Sequence, residues 1–77
     1  MKNYYFEFTG YGDSYHVMAE NPELALDSIK RFLKYNVEDE YSQREYDLWK
    51  DATITNLPHC YSLIELKEGE VIKTCLQ

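Results

Sequence analysis

The chain contains few of the residues that build a chemical site. Its 77 residues include two cysteines and two histidines, which are Cys60, Cys75, His16 and His59. Structural zinc sites usually pair their ligands at short, repeated spacings, whereas His59 and Cys60 are neighbours whose side chains would point to opposite faces of a strand. Two cysteines are also too few for a disulfide scaffold. We therefore predict no metal site, no cofactor and no catalytic residue, and we expect a protein that is not an enzyme.

Basic charge and long apolar runs are also scarce. Eight lysines and arginines stand against 14 acidic residues, which gives a net charge of −6. Such a charge repels nucleic acid and anionic membranes. No run approaches the ~18 apolar residues of a membrane span, and the N-terminal sequence MKNYYFEF has no apolar core of signal-peptide length. We expect a cytoplasmic protein with reduced cysteines that binds neither nucleic acid nor membranes directly and whose partner, if charge attracts it, is basic.

Glycine is rare, and two of the three glycines lie in one turn. The segment Gly10–Asp13 separates two alternating runs, Tyr4–Thr9 and Ser14–Ala19. Glycines that can adopt positive φ between two alternating runs are typical of a β-hairpin. Because strand side chains alternate, we predict that two sets of residues each share one face of a strand: Tyr4, Phe6 and Phe8 in the first strand, and Tyr15, Val17 and Ala19 in the second.

The segment from Asn21 to Asn36 predicts an amphipathic helix over residues 22–35. Asn21 is a favoured N-cap and Pro22 suits the first helical position. Asn36 tolerates the left-handed conformation that often follows a helix. The apolar residues recur at helical spacing and predict a buried stripe; they are Ala25, Leu26, Ile29, Phe32 and Leu33.

The segment Glu38–Asp51 is the most acidic part of the chain, with six acidic residues against Arg44 and Lys50. Apolar residues near helical spacing favour a second helix from about Glu40 to Lys50. A mobile acidic loop is the alternative. Further along, residues 52–55 could add a short strand, which residues 56–58 would end. We predict a strand over residues 61–66, a turn over 67–70 and a last strand over 71–76. Both faces of that last hairpin carry apolar residues, so its inward face stays open.

These elements predict a single α+β domain over residues 1–77. Its order is strand, strand, helix, helix, strand, strand. We expect a small antiparallel sheet, built from the two hairpins, with the helix of residues 22–35 packed on one face.

The acidic segment also carries the functional hypothesis. Aromatic residues within a field of charge are how a small protein binds a surface of opposite charge. We predict a protein–protein contact with a basic surface, such as one that normally holds DNA or RNA. The candidate partner-binding residues are Glu38, Asp39, Glu40, Tyr41, Glu45, Tyr46, Asp47 and Trp49. The alternative is a solvated helix face whose tyrosines fold back on the core.

In size, acidity and tyrosine content the chain resembles small proteins encoded by phages and mobile elements, which include inhibitors of bacterial defence nucleases. The resemblance implies a non-enzymatic inhibitor that covers a nucleic-acid-binding surface. A second hypothesis is a self-associating domain, in which a free edge or exposed face of the sheet completes a homodimer.

Overall fold

A computed structural model describes residues 1–10 and 12–71. These residues form two helices and an antiparallel sheet, so the predicted α+β class is confirmed. The elements in chain order are β1 (Lys2–Phe8), β2 (Tyr15–Ala19), α1 (Pro22–Tyr35), α2 (Glu40–Trp49) and β3 (Tyr61–Leu66). The predicted acidic helix is therefore formed, and the mobile-loop alternative is wrong.

The strand order in the sheet is β2-β1-β3, with β1 in the centre. The β1–β2 hairpin pairs Tyr4 with Val17 and Phe6 with Tyr15, so the two predicted faces meet on the same side of the sheet. β3 pairs with the other side of β1 and places Leu63 opposite Phe6. Since Phe6 is buried and Leu63 packs against the core, the inward face of β3 is the one that carries Leu63.

Helix α1 has the predicted bounds. At its N-terminus, Asn21 is the N-cap and Pro22 is in the first turn, as predicted. The Asn21 side chain accepts a hydrogen bond from the Leu24 amide at 2.8 Å. The C-terminus differs from the prediction, because Asn36 has a φ of −96° and is not left-handed. Its side-chain amide instead donates to the Phe32 carbonyl at 2.7 Å. The Asn36 backbone N–H bonds to the same carbonyl at 3.1 Å. Two bonds from Asn36 therefore close the helix end without a left-handed residue.

The buried stripe of α1 is one residue narrower than predicted. Four of the five residues are buried, and they are Ala25, Leu26, Ile29 and Leu33. Phe32 is 58% exposed. It lies on the side of the stripe towards β2, and β2 is the last strand on that side, so no described strand extends far enough to cover the ring.

The short strand considered for residues 52–55 is not formed. Thr53 and Asn56 instead close a tight turn through two backbone bonds of 3.2 and 3.0 Å. The Ala52 carbonyl accepts a bond of 2.7 Å from the Lys30 ammonium. These backbone groups are engaged by the turn and by α1, so they do not join a sheet.

The predicted last strand, residues 71–76, lies outside the described residues apart from Val71, and so does Cys75. The second hairpin and the state of Cys75 therefore stay predictions. The turn before them is described. Gly69 adopts a φ of +86° there, and the Glu70 amide bonds to the Lys67 carbonyl at 3.0 Å.

Candidate partner-binding surface

Helix α2 begins at a well-formed cap. The Asp39 carboxylate accepts a bond of 2.9 Å from the Ser42 amide, and the Ser42 hydroxyl accepts one of 3.0 Å from the Asp39 amide. This reciprocal pair is a capping box. The Ser42 hydroxyl also donates to the Asp39 carboxylate at 3.0 Å. The bonds that this carboxylate accepts from the Ser42 amide and hydroxyl lower the pKa of Asp39, because they stabilise its charged form. Asp39 therefore starts the helix that displays the other candidate residues.

The opposite end of α2 is held in the core by Trp49, which has no exposed surface. Its ring centroid lies 4.7 Å from that of Tyr61, 5.6 Å from that of Tyr15 and 5.8 Å from that of Phe6. These neighbours come from all three strands. The indole Nε1 is buried without an acceptor among the described residues, so ring packing rather than a hydrogen bond holds the side chain.

The burial of Trp49 corrects its expected role as a partner-binding residue. A side chain with no exposed surface cannot touch a partner while the domain stays folded. Tyr46 is half-buried and packs against the same core. Both residues attach α2 to the sheet. For Tyr46 this is what the alternative interpretation expects, in which the tyrosines of the segment fold back on the core.

Glu45 also faces the body of the protein. Its carboxylate accepts a bond of 2.8 Å from the Tyr15 hydroxyl, and it is half-buried. Burial, together with this bond, raises the pKa of Tyr15 well above its ordinary value. Burial and the Glu45 charge raise the pKa of Tyr61 to about 12. Glu45 therefore links α2 to β2 and is only partly available to a partner.

The outer surface of α2 combines apolar side chains with carboxylates. Tyr41 and Leu48 are 71% and 52% exposed. They are seven residues apart, so they lie on the same side of the helix about two turns apart. Carboxylates lie beside them at Glu40 and Asp47, and all four side chains are exposed. With Glu38, which is also exposed, we call this set the α2 face: Glu38, Glu40, Tyr41, Asp47 and Leu48.

The charge of the α2 face is only partly compensated. The Arg44 guanidinium lies 3.3 Å from the Glu40 carboxylate, and the Lys50 ammonium lies 3.6 Å from the Asp47 carboxylate. All four side chains are substantially exposed, and exposed pairs of this kind contribute little and exchange readily with solvent. The segment as a whole remains strongly acidic.

The structure thus separates the candidate residues into two groups. Trp49, Tyr46, Glu45 and Asp39 build and attach the helix, whereas Glu38, Glu40, Tyr41 and Asp47 are exposed on its outside. Leu48 was not among the predicted partner-binding residues. The spacing of seven between Tyr41 and Leu48 is the signal that places them on one side.

The histidines and cysteines do not gather into a chemical site in the described part of the chain. Within residues 1–10 and 12–71, no three His, Cys, Asp or Glu side chains form a group that could hold a metal ion. The His16 ring contacts the Asn3 side chain at 3.2 Å. Cys60 adopts a φ of 71° immediately before β3, and its carbonyl accepts the Thr9 amide at 2.9 Å.

Neither helix of the described chain has the length and apolar content to cross a bilayer. No protein-family model, curated protein or solved structure matches the chain.

Proposed function

We propose that this is a non-enzymatic binding protein that contacts a basic surface of a protein partner through the α2 face. The observation that carries the proposal is the exposure of Tyr41 and Leu48 on one side of a capped helix, next to carboxylates. An exposed aromatic and an exposed aliphatic residue supply apolar area that a partner can cover. The surrounding carboxylates select a partner of opposite charge.

The two kinds of residue have different physical roles. Buried aromatic contacts contribute much of the affinity at protein interfaces, so Tyr41 is the expected centre of the contact. Charges at the rim mainly raise the association rate and exclude partners of like charge. Glu38, Glu40 and Asp47 supply that charge without first breaking a buried contact.

In its sharper form, the proposal is that the protein inhibits a nucleic-acid-binding protein. Surfaces that hold DNA or RNA carry lysine and arginine that neutralise phosphates. An acidic helix with an apolar centre fits such a surface, and its occupation excludes the nucleic acid. The net charge of −6 favours this encounter and disfavours direct contact with the nucleic acid itself.

The test is an affinity capture from a lysate of the source cells, with a triple charge reversal, Glu38→Lys, Glu40→Lys and Asp47→Lys. We leave Glu45 unchanged because its reversal would break the Tyr15 bond. The control reverses three exposed acidic residues elsewhere, Glu20, Glu68 and Glu70, which gives the same net charge.

The proposal expects a stoichiometric partner that the control variant retains and the α2 variant loses. High salt should weaken the complex, because salt screens exposed charges. Excess duplex DNA or RNA should displace the protein if the inhibitor form holds. A partner that the α2 variant binds as well as the unmodified protein does would contradict the proposal.

A further inference from the structure

A groove of about 340 Å³ runs between β2 and α1. It lies at the β2 edge of the sheet, which is opposite to the β3 edge. One wall is formed by residues 14–17, and the other includes Ser28 and Phe32. β2 is the last strand on this side, and no other described strand pairs with its outer edge. Edge strands present backbone N–H and C=O groups that another strand can pair with.

The helix wall of the groove continues into a stripe of three exposed apolar residues and one half-buried serine. Its members follow one another at spacings of four, four and three residues and so share one side of α1; they are Leu24, Ser28, Phe32 and Tyr35. Phe32 is more than half exposed, Tyr35 is 91% exposed and Leu24 is also exposed. We call this set the outer stripe of α1. Apolar surface gathered beside a free strand edge is typical of an interaction site.

We infer that the β2 edge and the outer stripe form a homodimer interface occupied by a second copy of this chain. The two β2 strands pair antiparallel about a two-fold axis and join the two sheets into one. An incoming strand alone would cover the edge but not the stripe. A second copy covers both, because it brings its own edge and its own stripe to the same axis.

The sequence of β2 suits pairing about its central residue, Val17. This register places Tyr15 opposite Ala19 and His16 opposite Met18 of the second copy. Continued by one residue, it places Ser14 opposite Glu20. No two like charges lie opposite each other along this register, so cross-strand repulsion is avoided.

The position of α1 suits the same axis. Helix α1 starts directly after β2 and runs back along it, since Phe32 lies beside residues 14–17. Two antiparallel copies of the outer stripe would then meet with Ser28 near the axis and Leu24 facing Phe32 of the second copy. The small serine lets the two helices approach.

Charge separates this surface from the α2 face. The charged residues that border the outer stripe, Asp27 and Arg31, lie 3.4 Å apart in an ion pair of their own. Two copies of this surface therefore meet without strong repulsion. Two copies of the α2 face would bring together acidic segments of the same sign, so self-association and partner binding occupy different surfaces.

The area available is sufficient for a small interface. A buried aromatic side chain covers about 150–250 Å², and each copy contributes two exposed aromatic residues and Leu24 to the contact. With the strand edges and both copies counted, the total is on the order of the ~1,000 Å² that a specific interface needs.

The test is sedimentation equilibrium of the full chain from about 1 μM to about 1 mM. We expect a monomer–dimer equilibrium whose dissociation constant rises tenfold or more in Phe32→Lys. The matched control is Leu48→Lys, which changes a residue of similar exposure on α2 and should leave the constant unchanged. The inference is overturned by a monomer at every concentration, by a dimer that Phe32→Lys leaves intact, or by a dimer that Leu48→Lys dissociates.

Amide hydrogen exchange locates the interface independently. At concentrations where the protein is dimeric, the amides of β2 that do not bond to β1 should exchange slowly, and in Phe32→Lys they should exchange fast while β1 and β3 stay protected. Equally fast exchange of those amides in both proteins would overturn the inference. Neither experiment involves a partner, so either result is distinct from the outcome for the α2 face.

Discussion

The two helices pack against the same core in different ways. Helix α1 buries four residues in a continuous stripe, whereas α2 buries only Trp49. The half-buried Tyr46 and the bond between Tyr15 and Glu45 complete the attachment of α2. A helix that uses little of its surface for folding leaves the rest available for contacts, which is why the partner-binding surface is proposed on α2.

The largest effect should come from removing the one buried side chain of α2. Trp49→Ala should destabilise the protein by about 3–5 kcal/mol, because it removes the ring that touches all three strands. This is a large share of the roughly 4–12 kcal/mol expected for a domain of this size. Denaturant unfolding followed by circular dichroism would measure the loss.

The matched control for this prediction is the adjacent residue. Leu48→Ala removes an exposed apolar side chain and should change the free energy of unfolding by less than about 0.5 kcal/mol. If the two substitutions cost the same, the division of α2 into a buried side and an outer face is wrong.

The stripe of α1 should show the same contrast at a smaller scale. Ile29→Ala should cost about 2–5 kcal/mol, since Ile29 is buried among core residues. Phe32→Ala should cost about 1 kcal/mol or less at concentrations where the protein is monomeric, since more than half of its ring faces solvent. Thermal or denaturant unfolding of both variants checks this order, and a larger loss from Phe32→Ala would contradict the exposure of its ring.

The link between α2 and β2 should contribute less than the core residues. Tyr15→Phe keeps the ring contact with Trp49 and removes only the hydroxyl bond to Glu45. We expect a loss of about 1 kcal/mol, because the bond has a charged acceptor but is only partly buried. Tyr35→Phe removes a highly exposed hydroxyl and is the control, with no measurable change expected.

Tyr15 and Tyr61 predict a fall in stability at high pH. The folded protein raises the pKa of Tyr61 from 10.0 to about 12, chiefly through burial, and it raises the pKa of Tyr15 for the same reason. The unfolded chain therefore loses these protons first, so the stability they contribute is present below about pH 10 and is lost as the pH rises towards 12. Unfolding midpoints measured across this range should fall, and the fall should be smaller in Tyr61→Phe.

The sequence predicts α1 well because the signals lie within the helix and its flanks. Asn21, Pro22 and the stripe residues act through neighbours a few positions away. The exposure of Phe32 could not be predicted in this way, because it depends on β2 being the last strand of the sheet. That order follows from the pairing of β1 with β3, which joins distant parts of the chain.

The role of Trp49 could not be predicted for the same reason. An aromatic residue in an acidic segment has the local character of a partner-binding residue. Its actual neighbours, Phe6, Tyr15 and Tyr61, come from three strands, and only the sheet brings them together. The exposure of the charged residues on the outside of α2 was easier to predict, since charge predicts exposure without knowledge of distant contacts.

The most direct test of the contrast between α1 and α2 is photo-crosslinking from two positions of similar exposure. A photoreactive amino acid is placed at Leu48 in one protein and at Phe32 in another, and each is irradiated in a lysate of the source cells. We predict that position 48 forms an adduct with a basic partner, that high salt suppresses this adduct, and that position 32 crosslinks mainly to a second copy of the chain. A partner adduct that forms from position 32 and not from position 48 would contradict the proposal that the α2 face binds the partner.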